Sequence, residues 1–296
     1  GCSISLLNTV YPDVIDLLGG ALPEVKIDLL YHATLMPSFG DDAISRINPP
    51  KKGFVLAVEG GVPTRDGGVY CTQGEVGGRP VPVKEWVEKL SEEALAVVAI
   101  GDCATHGGIP ASAPNPSSVV GVLKLLGDGY TSQLGLPVIN VTGCPPHPDW
   151  MVGALASAVL AAGGLLPPPK LDAQNRPLEF FQRRVHDDCP RRGYYDTGVF
   201  AKKHGDKECL FKLGCKGPIT YADCNSRKWN NGLTSCVISG CFCIGCTEPG
   251  FPEQMQPFFE PLTSPPMTIR DAAGVGVALG AVLAGAYLAR TRRKKG

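Results

Sequence analysis

His186-Asp187-Asp188-Cys189, Cys209-Leu210-Phe211-Lys212-Leu213-Gly214-Cys215 and Cys241-Phe242-Cys243-Ile244-Gly245-Cys246 decide how this chain is read. With Cys224 and Cys236 they place eight of the twelve cysteines between residues 186 and 246. Packing alone gives no reason for so much thiol in so short a run. Iron–sulfur clusters, structural zinc and disulfides each give one. Spacing weighs on the choice. Cys241, Cys243 and Cys246 stand too close together for easy mutual bridging, because disulfide geometry is demanding. Close thiols beside glycine suit a loop wrapped around a metal centre, which favours metal over disulfides.

Working outward, 296 residues suffice for two domains with their own cores. Hydrophobic content of 44% with 19% charged residues marks a globular chain. Basic and acidic residues balance at 28 each, with no basic stripe or basic–aromatic interleaving. That excludes nucleic acid as a partner.

The N-terminal half alternates short apolar runs with helical stretches. Ile27–Tyr31, Gly53–Gly60, Leu95–Ile100 and Pro137–Val141 read as strands. Val81–Leu95, Ser118–Leu126 and Trp150–Leu166 read as helices. This alternation predicts an α/β fold with a parallel sheet covered by helices. Cys103 and Cys144 each fall just past a predicted strand, at the edge where open parallel sheets bind ligands. Cys2, in a loop before a helix, is placed to join them. The alternative is that Cys103 and Cys144 are small buried hydrophobes. Cys71 has no such context and reads as structural. The abrupt start at Gly1-Cys2-Ser3 implies that residues precede Gly1, and no signal peptide is visible.

Pro167-Pro168-Pro169 marks a domain edge. Beyond it periodicity is weak, so cluster bonds are expected to supply the order that regular structure does not. The expected domains are 1–166, 167–266 and 267–296. Ala272 to Ala289 carries no charge. At helical rise it spans about 27 Å, close to a bilayer core. Arg290, Arg292, Arg293, Lys294 and Lys295 follow. The sequence therefore predicts a single C-terminal transmembrane helix with the body of the chain on the outer face.

The cysteine-rich motifs, together with Gly101-Asp102-Cys103-Ala104-Thr105-His106, Thr142-Gly143-Cys144-Pro145-Pro146-His147 and Val58-Glu59-Gly60-Gly61-Val62-Pro63-Thr64, closely resemble the small subunit of NiFe hydrogenases, in order and over nearly the whole chain. The resemblance implies a flavodoxin-like N-terminal domain, an irregular iron–sulfur C-terminal domain and three clusters. Cys2, Cys103 and Cys144 match proximal 4Fe–4S ligands, and the fourth lies before Gly1. His186, Cys189, Cys209 and Cys215 match the distal 4Fe–4S ligands. Cys224, Cys243 and Cys246 match the ligands of the usual medial 3Fe–4S cluster. Cys236 stands where most relatives have proline, so the medial cluster is expected to be 4Fe–4S with Cys236 as its fourth ligand. Cys241 is the competing candidate. His32, His106, His147 and His204 have no matching role. Gly1 and Gly108 occupy the positions of the two extra cysteines found in oxygen-tolerant relatives.

The resemblance further implies a large subunit holding the Ni–Fe centre, and electron delivery to a membrane cytochrome b or another quinone-linked acceptor. It admits a dimer of heterodimers. Two other classes answer to parts of the pattern. A quinone-reductase subunit would resemble only the proximal half. A hydrogen-sensing complex would ordinarily lack the tail.

Overall fold

A computed structural model describes residues 2, 27–48 and 52–263. Its elements begin with α1 (Gly40–Ser45), β1 (Val55–Glu59), β2 (Val62–Pro63), β3 (Thr72–Val76) and β4 (Arg79–Pro82). They continue with α2 (Val83–Glu93), β5 (Ala96–Ile100), α3 (Asp102–His106), α4 (Gly108–Ala111), β6 (Val119–Val120), α5 (Val122–Leu126), β7 (Ile139–Val141) and α6 (Pro148–Ala162). β1, β5 and β7 form a parallel sheet in that order, with Val55 opposite Ala96 and Val98 opposite Ile139. β2 pairs with β6 and β3 with β4, both antiparallel.

β5 is central, and all five of its residues are buried. A strand covered on both faces needs such an unbroken apolar run. Its side chains alternate between two cores. Ala96, Val98 and Ile100 pack with Trp150, Met151, Ala154 and Ala158 of α6 and with Phe180, Phe181, Val185 and Ala222 from the second half. Val97 and Ala99 pack with Val62, Val87 and Val122 on the other face. Each large apolar side chain so buried contributes about 1.5–3 kcal/mol. The second half therefore shares a core with the sheet.

Most predicted elements are present with shifted ends. Ile27–Tyr31 forms no strand. The helix expected from Val81 starts at Val83, because the two residues before it belong to β4. The helix expected over Ser118–Leu126 divides at Gly121. A Cβ there would meet the Thr105 carbonyl oxygen at 2.2 Å, so the chain crosses α3 extended before α5 begins. Residues 167–263 hold only helical turns of three to five residues and isolated bridges, as the weak periodicity implied. The expected transmembrane segment lies outside the described residues. Among the described residues no helix is long and apolar enough to cross a membrane.

α6 begins with Pro148 at its first turn and is capped by His147, whose Nδ1 accepts the Asp149 N–H at 3.1 Å. Nδ1 is then unprotonated, and Nε2 carries the hydrogen donated to the Lys228 carbonyl at 2.8 Å. Burial holds the His147 pKa below the usual histidine value, against the opposing pull of Asp149. A folded-state pKa below the unfolded one means that stability is present above the unfolded pKa of about 6.5 and is lost as pH falls below it. His147→Asn keeps a capping oxygen without the titration. The gap in melting temperature between wild type and this variant is expected to change between about pH 7 and pH 5. A gap constant across that range contradicts the account.

Candidate iron–sulfur sites

The first group of thiols sits where the three parallel strands end. Cys2 donates its N–H to Glu59 Oε1, at the end of β1, at 3.0 Å. Cys103 lies in the first turn of α3, just after β5, and Cys144 follows β7. The β5 and β7 exits are tied by Gly101 N–H to the Val141 carbonyl and Asp102 N–H to the Gly143 carbonyl, both 2.8 Å. Gly101 is required: its φ is +84°, and a Cβ there would lie 2.5 Å from Cys2 Sγ. This is the sheet edge at which the sequence placed a site.

The three thiols act on one another electrostatically. Burial, then Glu59, Cys103 and Cys144, push the Cys2 thiol up to about 12. Burial and Cys144 raise Cys103, and burial and Asp102 raise Cys144. Three half-buried thiols that oppose one another's ionisation stay protonated unless a cationic centre takes them as thiolates. Beside them Asp102 is 1% exposed, with neither carboxylate oxygen hydrogen-bonded among the described residues. Burial, then Glu248, pushes its pKa up to about 8.

The second group encloses one cavity. His186, Cys189, Cys209 and Cys215 line it together, with Val185, Leu210, Phe211 and Val237 among its walls. Burial lowers the His186 pKa to about 4, so the imidazole is neutral with a free lone pair. Its Nε2 is buried without a hydrogen-bond partner among the described residues, and Tyr195 packs edge-on at 4.5 Å. The Cys189 and Cys215 sulfurs accept backbone N–H groups from Arg191 at 3.4 Å and Gly217 at 3.5 Å. Such bonds favour a ligating thiolate. Gly214, at φ +113°, lets the chain pass under Phe258, whose carbonyl oxygen would lie 1.9 Å from a Cβ.

The third group lies between the other two. Cys224 feels the charge of Cys246 and Cys236, Cys246 that of Cys236, and Cys243 that of Cys246. The loop carrying Cys236 is pinned to the helix carrying Cys224. Ser235 Oγ donates to Asn225 Oδ1 at 2.7 Å, and Asn225 Nδ2 donates to the Val185 carbonyl at 2.7 Å. Cys241 is exposed and tied by its N–H to the Cys236 carbonyl at 2.9 Å. It acts on Cys236 but not visibly on Cys224, Cys243 or Cys246.

The three groups abut in series. Cys246 neighbours Cys144 of the first group. Cys243 neighbours Cys215 of the second, and its carbonyl accepts the Lys216 N–H at 2.7 Å. All twelve cysteines are free. Among the described residues no group of three or more donors closes on a single metal ion. Cys71 is exposed and its backbone belongs to the turn before β3.

Sequence reading missed Arg176. Its buried guanidinium reaches Asp172 at 2.8 Å and the Thr247 carbonyl and Glu248, both at 3.1 Å. It lies over the rings of Phe181 and Tyr221. It anchors the chain just past Cys246 to the segment that follows Pro167-Pro168-Pro169. A lone arginine in a polar loop carries no sequence signal for that task.

Thiol-lined sites set in a row on a parallel-sheet domain define an iron–sulfur electron-transfer protein. Residues 181–259 match the family model described as NiFe/NiFeSe hydrogenase small subunit, C-terminal. Residues 1–158 match the model described as NADH ubiquinone oxidoreductase, 20 Kd subunit. The periplasmic NiFeSe hydrogenase small subunit of Desulfomicrobium baculatum is 40% identical over 273 residues, covering 88% of this chain and 83% of its own. The quinone-reactive Ni/Fe-hydrogenase small chain of Wolinella succinogenes is 38% identical over 273 residues, 89% of this chain and 72% of its own. A crystal structure of the reduced, active Ni-Fe-Se hydrogenase from Desulfomicrobium baculatum superposes with a TM-score of 0.79, covering 88% of this chain and 95% of the other. The chain belongs to the NiFe hydrogenase small-subunit family. Small subunits of this family carry three iron–sulfur clusters and pair with a large subunit that holds the Ni–Fe centre.

Proposed function

We propose that this chain is the electron-relay subunit of a membrane-anchored, H2-oxidising NiFe hydrogenase. The observation that supports it best is the serial contact of the three thiol groups, through Cys144 with Cys246 and Cys243 with Cys215. Cys2, Cys103 and Cys144 hold the proximal cluster. Cys224, Cys236, Cys243 and Cys246 hold a medial 4Fe–4S cluster. His186, Cys189, Cys209 and Cys215 hold the distal one. When bound, the clusters supply the one-electron redox centres between the Ni–Fe site and the acceptor. The protein's work is to fix their spacing and exclude water. The buried walls of Val185, Leu210 and Phe211 and the N–H donors of Arg191 and Gly217 do this at the distal site. A neutral His186 in place of a thiolate leaves that site less negative.

The uncharged run Ala272–Ala289 and its basic flank support a membrane anchor with the body on the outer face. The quinone-reactive relative supports a quinone-linked or cytochrome b acceptor. Division into a flavodoxin-like domain over 1–166 and an iron–sulfur domain over 167–266 is supported by the separate family matches to 1–158 and 181–259. The second of these also weighs against a quinone-reductase subunit. The test is affinity purification with the large subunit. Nickel in the complex and H2-dependent reduction of benzyl viologen are expected. A nickel-free preparation without turnover contradicts the reading.

A further inference from the structure

The chain has three tryptophans, and an indole N–H taken out of water needs an acceptor. Trp86 donates to the Gln73 carbonyl at 2.8 Å, and Trp150 donates to Asp223 Oδ1 at 2.7 Å. Trp229 is the exception. Its Nε1 is buried and finds no acceptor among the described residues. A buried donor left unpaired is costly, so its place in the fold calls for an account.

Trp229 stands in the chain between two thiols of the third group. Cys224 opens the short helix before it, and Lys228 N–H closes that helix on the Cys224 carbonyl at 3.1 Å. After it, the Thr234 N–H returns to the Trp229 carbonyl at 3.2 Å, closing a hairpin that leads into Ser235 and Cys236. The approach is strained. Lys228 holds φ +62° without being glycine, and the His147 Nε2 hydrogen bond to its carbonyl fixes the peptide that carries Trp229. The ring packs against His147 at 4.7 Å and edge-on to Trp150 at 6.4 Å. So held, the indole lies near enough to Cys224 to favour its thiolate, against burial and the charges of Cys246, Cys236 and Asp223. Packing accounts for the ring but not for the N–H, because a phenylalanine ring would meet the same neighbours without an orphaned donor.

We propose that Trp229 is a positioning residue of the medial cluster, donating its indole N–H to sulfur at the Cys224 corner. The proposal rests on the reading of Cys224 as a medial ligand. A thiolate or an inorganic sulfide there gives the orphaned donor a charged acceptor. An N–H directed at sulfur offsets the negative charge that an added electron brings, so it raises the reduction potential of that one cluster. Asp223, beside Cys224 and held by Trp150 and Arg227, works in the opposite direction. The two indoles thus set the middle relay between them, one by holding the neighbouring carboxylate and the other by reaching the sulfur.

The test uses the complex with its large subunit. Trp229→Phe keeps a ring against His147 and Trp150 and removes only the N–H. In a redox titration followed by electron paramagnetic resonance, its medial cluster is expected to be reduced at a lower potential than in wild type, with the proximal and distal clusters unmoved. A second measurement needs no variant. Wild-type complex containing isotope-labelled tryptophan nitrogen is expected to show a nitrogen coupling to the paramagnetic medial cluster, with a proton coupling that disappears in deuterated water. The Trp86 and Trp150 N–H groups are engaged by oxygen and give neither. An unchanged medial potential in Trp229→Phe overturns the proposal, as does the absence of a nitrogen coupling in wild type. Failure of the medial-ligand reading is separately visible: Cys224→Ala then leaves the medial signal intact. If only the proposal fails, Cys224→Ala abolishes or alters that signal while Trp229→Phe leaves its potential in place.

Discussion

Replacing Cys236 with alanine is expected to give the oxidised complex an intense 3Fe–4S electron paramagnetic resonance signal that the wild type lacks. Three thiols, Cys224, Cys243 and Cys246, remain to hold three irons, and the fourth corner loses its only thiolate. Cys236 is the candidate because its charge acts directly on Cys224 and Cys246, and Ser235 pins its loop to the helix bearing Cys224. Cys241 makes no such approach to the buried three, so Cys241→Ala is expected to leave the spectrum unchanged. Cys236 is exposed, and its truncation opens no cavity; protein stability apart from the cluster should change by no more than about 0.5 kcal/mol. Turnover falls because the middle step becomes uneven, yet the cluster persists. The opposite pattern, with the new signal in Cys241→Ala and none in Cys236→Ala, assigns the fourth ligand to Cys241.

Stripping the clusters by oxidation and chelation is expected to unfold most of residues 181–259 while the parallel sheet survives. The longest regular element between these residues has five residues, and isolated bridges replace a sheet. Such a segment draws its order from metal–thiolate bonds, as small zinc domains draw about 10 kcal/mol or more from theirs. β1, β5, β7 and α6 retain both cores except for the contacts supplied by Phe181, Val185, Ala222 and Cys243. Limited proteolysis read by mass spectrometry checks this. Cuts should appear throughout 181–259 and remain rare in 96–162. Equal protection of both regions after complete loss of iron contradicts the account.

Much of this was legible in the sequence, for identifiable reasons. The run Ala96–Ile100 could be read as a buried central strand because burial on both faces demands continuous apolarity. Cys103 and Cys144 could be placed at the sheet edge because each follows such a run within three residues. His186 was legible only through its motif; as a lone histidine it would read as structural. The crossing at Gly121 was not legible, because it depends on the Thr105 backbone arriving from a distant part of the chain. The same holds for Arg176 and Asp102, whose importance lies in what surrounds them after folding.

The central claim is that three clusters in series connect this chain to hydrogen chemistry in its partner. Titrating the purified complex with H2 under redox control, with the clusters followed by electron paramagnetic resonance, tests it most directly. The account predicts that H2 alone reduces the clusters, with magnetic coupling between neighbours, and that Cys243→Ala interrupts delivery to the distal site while proximal reduction persists. Clusters reduced by dithionite but untouched by H2 in the nickel-containing complex would contradict it.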